Sequence, residues 1–137
     1  MAIRLLIITY RKAGLSLEEF RAHYENHANL IKRLTGDTFP LSHRRTYIAR
    51  TTANTPPEDA TPRNPTTPAT VLRGTQAEFD FDATAELTFE NQSAYDRFIA
   101  RVGNPEIAAQ IAADEEHFLE RPTVGIAMIG EVADTRR

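Results

Sequence analysis

The sequence predicts an α+β domain with four antiparallel strands and three helices, in the order β-α-β-loop-β-α-α-β. Three observations carry that reading. Ile3–Tyr10 is an apolar, β-branched run too short for a typical helix. Ser16, with Glu19 three residues on, opens a stretch whose apolar residues recur at helical spacing. Phe79, Phe81, Ala83, Ala85, Leu87 and Phe89 alternate with Asp80, Asp82, Thr84, Glu86 and Thr88, the period of a strand.

The remaining elements follow in order. Arg11–Leu15 reads as a turn, with Gly14 supplying conformational freedom. The first helix presents Leu17, Phe20, Tyr24, His27 or Ala28, Ile31 and Leu34 on one stripe, and Gly36 ends it. A second strand is expected at Ser42–Thr51, after Pro40. Residues from about 53 to 76 hold five prolines among many threonines and no period, so they read as a long loop, poised to close over a ligand. The third strand is expected over Glu78–Phe89. Asn91 or Ser93 caps a second helix with Tyr95, Phe98, Ile99 and Val102. Asn104-Pro105-Glu106 is an N-cap, an N1 proline and an early acid, so a third helix runs to about Phe118. Pro122 stops it, and Thr123–Val132 forms the last strand.

This is the split βαβ, ferredoxin-like βαββαβ plan, a single domain over 1–137 with both helical layers on one face of a four-stranded antiparallel sheet. Something must cover the other face. Thr123, Gly125, Ala127, Ile129 alternate with Val124, Ile126, Met128, Gly130, so neither side of the last strand is strongly polar. The first strand is apolar on both sides. A homodimer packed sheet to sheet would satisfy both.

Bulk composition narrows the function. Hydrophobic content is 41% and the formal net charge is −3, which lacks the basic footprint of a nucleic-acid partner. No cysteine is present, which excludes disulfides, thiolate metal sites and a cysteine nucleophile. No apolar run reaches the roughly 18 residues of a membrane span. The expected location is the cytoplasm. No phosphate loop, His-Glu-x-x-His or GxSxG motif occurs, so neither a cofactor nor a metal is expected.

Candidate chemistry lies on three elements. Asp80, Asp82 and Glu86 share the acidic face of the third strand. In a dimer that face meets a partly dry cavity, where carboxylates become general acids or bases; otherwise it is a solvated strand face. His27 lies on the packing face of the first helix, either as an acid-base group or as a satisfied structural histidine. His23 reads as solvated, and His117 as a cation near a helix C-terminus. His43, Arg45 and Tyr47 share a face of the second strand and suit an anionic, oxygen-rich ligand, or else a wet surface. Tyr10 and Tyr24 could orient a phenolic ligand.

Four stretches together resemble the EthD family. They are Arg11-Lys12-Ala13-Gly14-Leu15-Ser16 with Phe20, Tyr24 and His27; Phe39-Pro40-Leu41-Ser42-His43 with Arg45 and Tyr47; Gly74–Phe89; and Ala113-Asp114-Glu115-Glu116-His117-Phe118-Leu119. The chain looks most like fungal-type members of secondary metabolism. The resemblance implies a dimeric α+β barrel with a pocket in each subunit between sheet and helices. Carried over by position, His27, His43, Asp82 and Glu86 are the matching polar positions; Tyr10, Tyr24, Arg45 and Tyr47 are the substrate contacts expected from the residues themselves. Related barrels include cofactor-free polyketide cyclases, decarboxylases, dehydratases and monooxygenases. The expected activity is therefore a cofactor-independent lyase or cyclase on an aromatic or polyketide-derived molecule. The alternatives are a cofactor-free monooxygenase or a non-catalytic metabolite-binding dimer.

Overall fold

The computed structural model describes all 137 residues. Its elements are β1 (Ile3–Thr9), α1 (Leu17–Thr35), β2 (Ser42–Tyr47), β3 (Ala83–Phe89), α2 (Gln92–Val102), α3 (Pro105–Glu115) and β4 (Gly125–Ile129). The four strands form one antiparallel sheet in the order β2-β3-β1-β4, a ferredoxin-like fold. No helix is long and apolar enough to cross a membrane.

Local chemistry starts each helix where expected. The Glu19 amide donates to Ser16 Oγ and the Ser16 amide donates to Glu19 Oε1, both at 3.0 Å, a complete capping box. Gly36 closes α1 at a φ of 56°, a conformation that favours glycine. Asn104 caps α3 ahead of Pro105.

The helices cover the face that carries Leu5, Ile7 and Thr9 of β1 and Ala83, Ala85, Leu87 and Phe89 of β3. Small residues at positions 83 and 85 leave room for large rings above them. Phe20, Tyr24, Phe118 and Leu119 fill that space near Ala83, and Phe98 packs on Leu5, Leu87 and Phe89. Arg4, Leu6, Ile8, Thr84, Glu86 and Thr88 point to the other, uncovered face. At the edge, Ile126 and Met128 of β4 lie opposite Ile7 and Leu5, so they share the helix-side face. They are nevertheless 64% and 57% exposed, because the helical layer stops short of them.

Four expectations change. β2 ends at Tyr47, not Thr51, and β4 spans Gly125–Ile129 rather than Thr123–Val132. β3 begins at Ala83, not Glu78. The reason is a contact from outside the strand: the Arg50 guanidinium takes the carbonyls of Phe79 and Phe81 at 3.2 and 2.7 Å, so those groups leave the ladder. α3 ends at Glu115, not near Phe118.

The Pro/Thr segment has no helix or strand, but its backbone is tied down. Thr51 donates to Pro68 O, Thr70 to Ala49 O and Ala53 to Thr66 O. Asn64, 2% exposed, accepts from Arg11 and donates to Asp80.

Candidate active site between helices and sheet

A cavity of about 100 Å³ lies between the helical layer and the sheet. Ile31, Leu87, Phe98 and Leu119 supply much of its apolar wall, and Val124 and Ile126 border it at β4. Thr9, Tyr24, His27, His43 and Glu115 are its polar groups. The Pro/Thr segment contributes no lining residue, so it does not act as the expected cover for this cavity.

His27 is 3% exposed, held on α1 against Phe118 with ring centroids 5.0 Å apart. Its Nδ1 lies 2.6 Å from Asp114 Oδ2 on α3. A carboxylate only accepts, so Nδ1–H donates to Asp114 and Nε2 is the nitrogen left over. Nε2 in turn lies 3.8 Å from Glu115 Oε2. This is the base-plus-orienter arrangement that makes an imidazole a directed proton acceptor.

His43 of β2 projects to the same cavity. Burial, with the nearby Arg45 and His27 charges, pushes its pKa down to about 4. It is therefore neutral at pH 7 and donates one N–H rather than acting as a cation. Tyr24, edge-on to His27 and 6.2 Å from His43 between ring centroids, is pushed up to about 12 by burial. Its phenol stays protonated next to the Thr9 hydroxyl.

The other candidates sit elsewhere. Asp82 was expected on the uncovered face, yet it precedes β3 and is buried. It accepts from the Arg11 amide and guanidinium and from Arg50, with Arg63 at 3.5 Å. Asp80 accepts from Thr61 and Asn64 in the same network. Glu86 does face the uncovered side, 3.9 Å from Arg4 and on the opposite side of the sheet from His27. Arg45 forks onto Glu25 with two bonds of 2.8 Å, and Tyr47 donates to the same carboxylate at 2.6 Å. Those bonds hold Glu25 down to about 2 and occupy Arg45, so it is not free to take an anionic ligand. Tyr10 lies under the Arg63 guanidinium, 5.1 Å from its ring centre, away from the cavity. His23 is exposed and stacks near His117, which follows the end of α3.

The structure thus brings together His27, His43 and Tyr24 at the cavity, leaves Arg45 and Tyr47 on its flank, bonded to Glu25 with the Tyr47 ring 6.1 Å from that of Tyr24, and places Asp82, Glu86 and Tyr10 elsewhere. Asp114, Glu115 and Thr9 are the cavity-side polar residues that sequence reasoning missed. No local pattern marks Asp114, which is 87 positions from the histidine it touches.

Residues 12–122 match the EthD domain. The chain belongs to the EthD family. Solved structures agree on the fold of this EthD protein. It is similar to an EthD family protein of Bacillus halodurans, at 15% identity and a TM-score of 0.54, covering 96% of this chain and 100% of that one. A protein of Arabidopsis thaliana, At3g17210, matches at 15% identity and a TM-score of 0.53, over 98% of this chain and 99% of that one. A dimeric ferredoxin-like protein of unknown function from Thermobifida fusca matches at 8% identity and a TM-score of 0.50, over 96% and 92%. No curated protein matches this EthD chain.

Proposed function

We propose that this EthD protein is a cofactor-independent lyase or cyclase. It acts in the cytoplasm by acid-base catalysis on a small aromatic or polyketide-derived molecule, of the kind fungal-type secondary metabolism makes. The observation that carries the proposal is the His27–Asp114 pair, 2.6 Å apart, at the wall of an apolar cavity.

For a β-hydroxyketone the steps balance without an added reagent. His27 Nε2 takes the proton from the carbon next to the ketone. The electron pair moves to the ketone oxygen, where Tyr24 O–H and His43 N–H are the donors in reach of the cavity. The enolate then forms the new C=C bond and expels the β-hydroxyl. That group leaves as water with the proton from His27. Aldol-type cyclisation uses the same base and donors, with C–C bond formation in place of C–O cleavage.

A second copy completes the molecule in this reading. The uncovered sheet face carries Leu6, Ile8, Ala127 and Ile129, and a fold relative, the Thermobifida fusca protein, is dimeric. Sedimentation at micromolar concentration is expected to give a dimer, and a stable monomer would remove that element.

The catalytic test uses a single-ring β-hydroxyketone that aromatises to a phenol on losing water. The protein is expected to speed phenol release, and His27→Asn to cut kcat by about a hundredfold or more. Asp114→Asn is expected to act in the same direction by freeing the wrong tautomer. Wild-type turnover in His27→Asn sinks the acid-base assignment. Oxygen consumption during turnover points instead to a cofactor-free monooxygenase, and binding without turnover to a metabolite-binding dimer.

A further inference from the structure

The cavity has a charge bias as well as a shape. No lysine or arginine lines it. Glu115 is the one carboxylate in its wall. One oxygen of Glu115 lies 3.8 Å from His27 Nε2, and the other lies 3.2 Å from Arg121 Nε. Arg121 stands outside the cavity, in a groove shared with Glu116, with 43% of its side chain exposed. The negative end of this pair therefore faces the cavity, and the positive end faces solvent, where water and salt screen it. Asp114 adds a second negative group behind His27.

The geometry points to a site that takes an uncharged, single-ring ligand, such as a phenol, aryl ketone or aryl amide, in preference to an aromatic carboxylate, with Glu115 as the residue that turns the carboxylate away. A carboxylate entering here sheds its hydration and meets Glu115, and the one cation beside the Ile126 edge, Arg121, is part-exposed and already paired with Glu115 and Glu116. Size sets the ring count. A dry cavity of about 150 Å³ holds one benzene ring. The present cavity, about 100 Å³ and bordered by the exposed Ile126, takes one ring at that edge rather than a fused system. The inference rests on the cavity being the ligand site of the proposed function, and it narrows that function toward neutral ketone chemistry and away from decarboxylation.

Benzamide and benzoate match in shape and differ in charge. Each is titrated into the whole protein at pH 7 by calorimetry. Benzamide is expected to bind about tenfold tighter than benzoate, or more. Glu115→Gln keeps the side-chain shape and is expected to narrow that preference by about fivefold. Glu116→Gln removes an equal charge outside the cavity and is expected to leave it unchanged. Equal affinities, no binding of benzamide, or the same narrowing in both variants overturns the proposal. Benzamide preference without turnover of the β-hydroxyketone leaves the selectivity standing and removes the catalysis. Turnover with equal benzoate binding does the reverse.

Discussion

Two regions of this EthD protein bury titratable groups, and they differ in what is left over. At one end of the sheet, Asp82 accepts from Arg11 and Arg50 and lies 3.5 Å from Arg63. Arg50 also donates to the carbonyls of Thr67, Phe79 and Phe81. Every group there already has its partner, so the cluster fastens the Pro/Thr segment to the strands and offers a ligand nothing. In the cavity, His27 has one nitrogen fixed by Asp114 and the other turned toward Glu115, 3.8 Å away and beyond an ordinary hydrogen bond. His43 is neutral and Tyr24 protonated, beside open volume. Burial alone marks neither function nor structure. A buried polar group with spare capacity and space beside it is what marks the candidate site.

The largest expected effect breaks the first region. Asp82→Ala leaves Arg11 and Arg50 charged, buried and short of an acceptor, which costs about 3–5 kcal/mol. Urea unfolding measures it, and the loss is expected without any change in the cavity's ligand preference. A loss under 1 kcal/mol on the same scale makes the network an ordinary surface ion pair and erases the contrast.

The second effect tests the cavity through its pH dependence. His43 titrates at about 4 in the folded chain against an ordinary 6.5. The unfolded chain therefore binds the proton first as pH falls. The stability contribution is complete above 6.5 and is lost progressively between 6.5 and about 4, by up to about 3 kcal/mol. Glu25 also loses stability on acidification, but lower, between 4.5 and about 2. Unfolding free energies measured from pH 7 to pH 4.5 are expected to slope in wild type and to flatten in His43→Gln. An unchanged slope assigns the titration to another group.

A smaller effect sharpens the boundary between the two regions. Glu25, Arg45 and Tyr47 clamp β2 to α1 on the cavity's flank, at a partly exposed position. Tyr47→Phe removes one bond to Glu25 and is expected to cost about 1 kcal/mol in thermal or urea unfolding. The affinity for benzamide is expected to stay unchanged. A large change in affinity would place Tyr47 within the ligand site.

Where signals were local, the chain was legible. Ser16 with Glu19 started α1 as read, and Asn104-Pro105 started α3, because a cap satisfies amides only two or three residues away. The alternation of Ala83–Phe89 placed Ala83, Ala85 and Leu87 on the buried face, where burial itself alternates. The same alternation misled at Phe79–Asp82. An arginine from a distant turn captured the carbonyls there, and no strand pattern encodes that competition.

The sequence by itself determined the element order, the helix starts and the placement of His27 on a packing face, since propensity, capping and periodicity act over a few residues. Tertiary structure alone decided which acid that histidine meets. Asp114 reaches it because α3 returns beside α1, while Asp82, a catalytic candidate in the sequence-based reading, is held at the end of the sheet by arginines from three separate segments. Charge pairing in a folded chain depends on distances that close only after the layers pack, and no spacing along the chain records them.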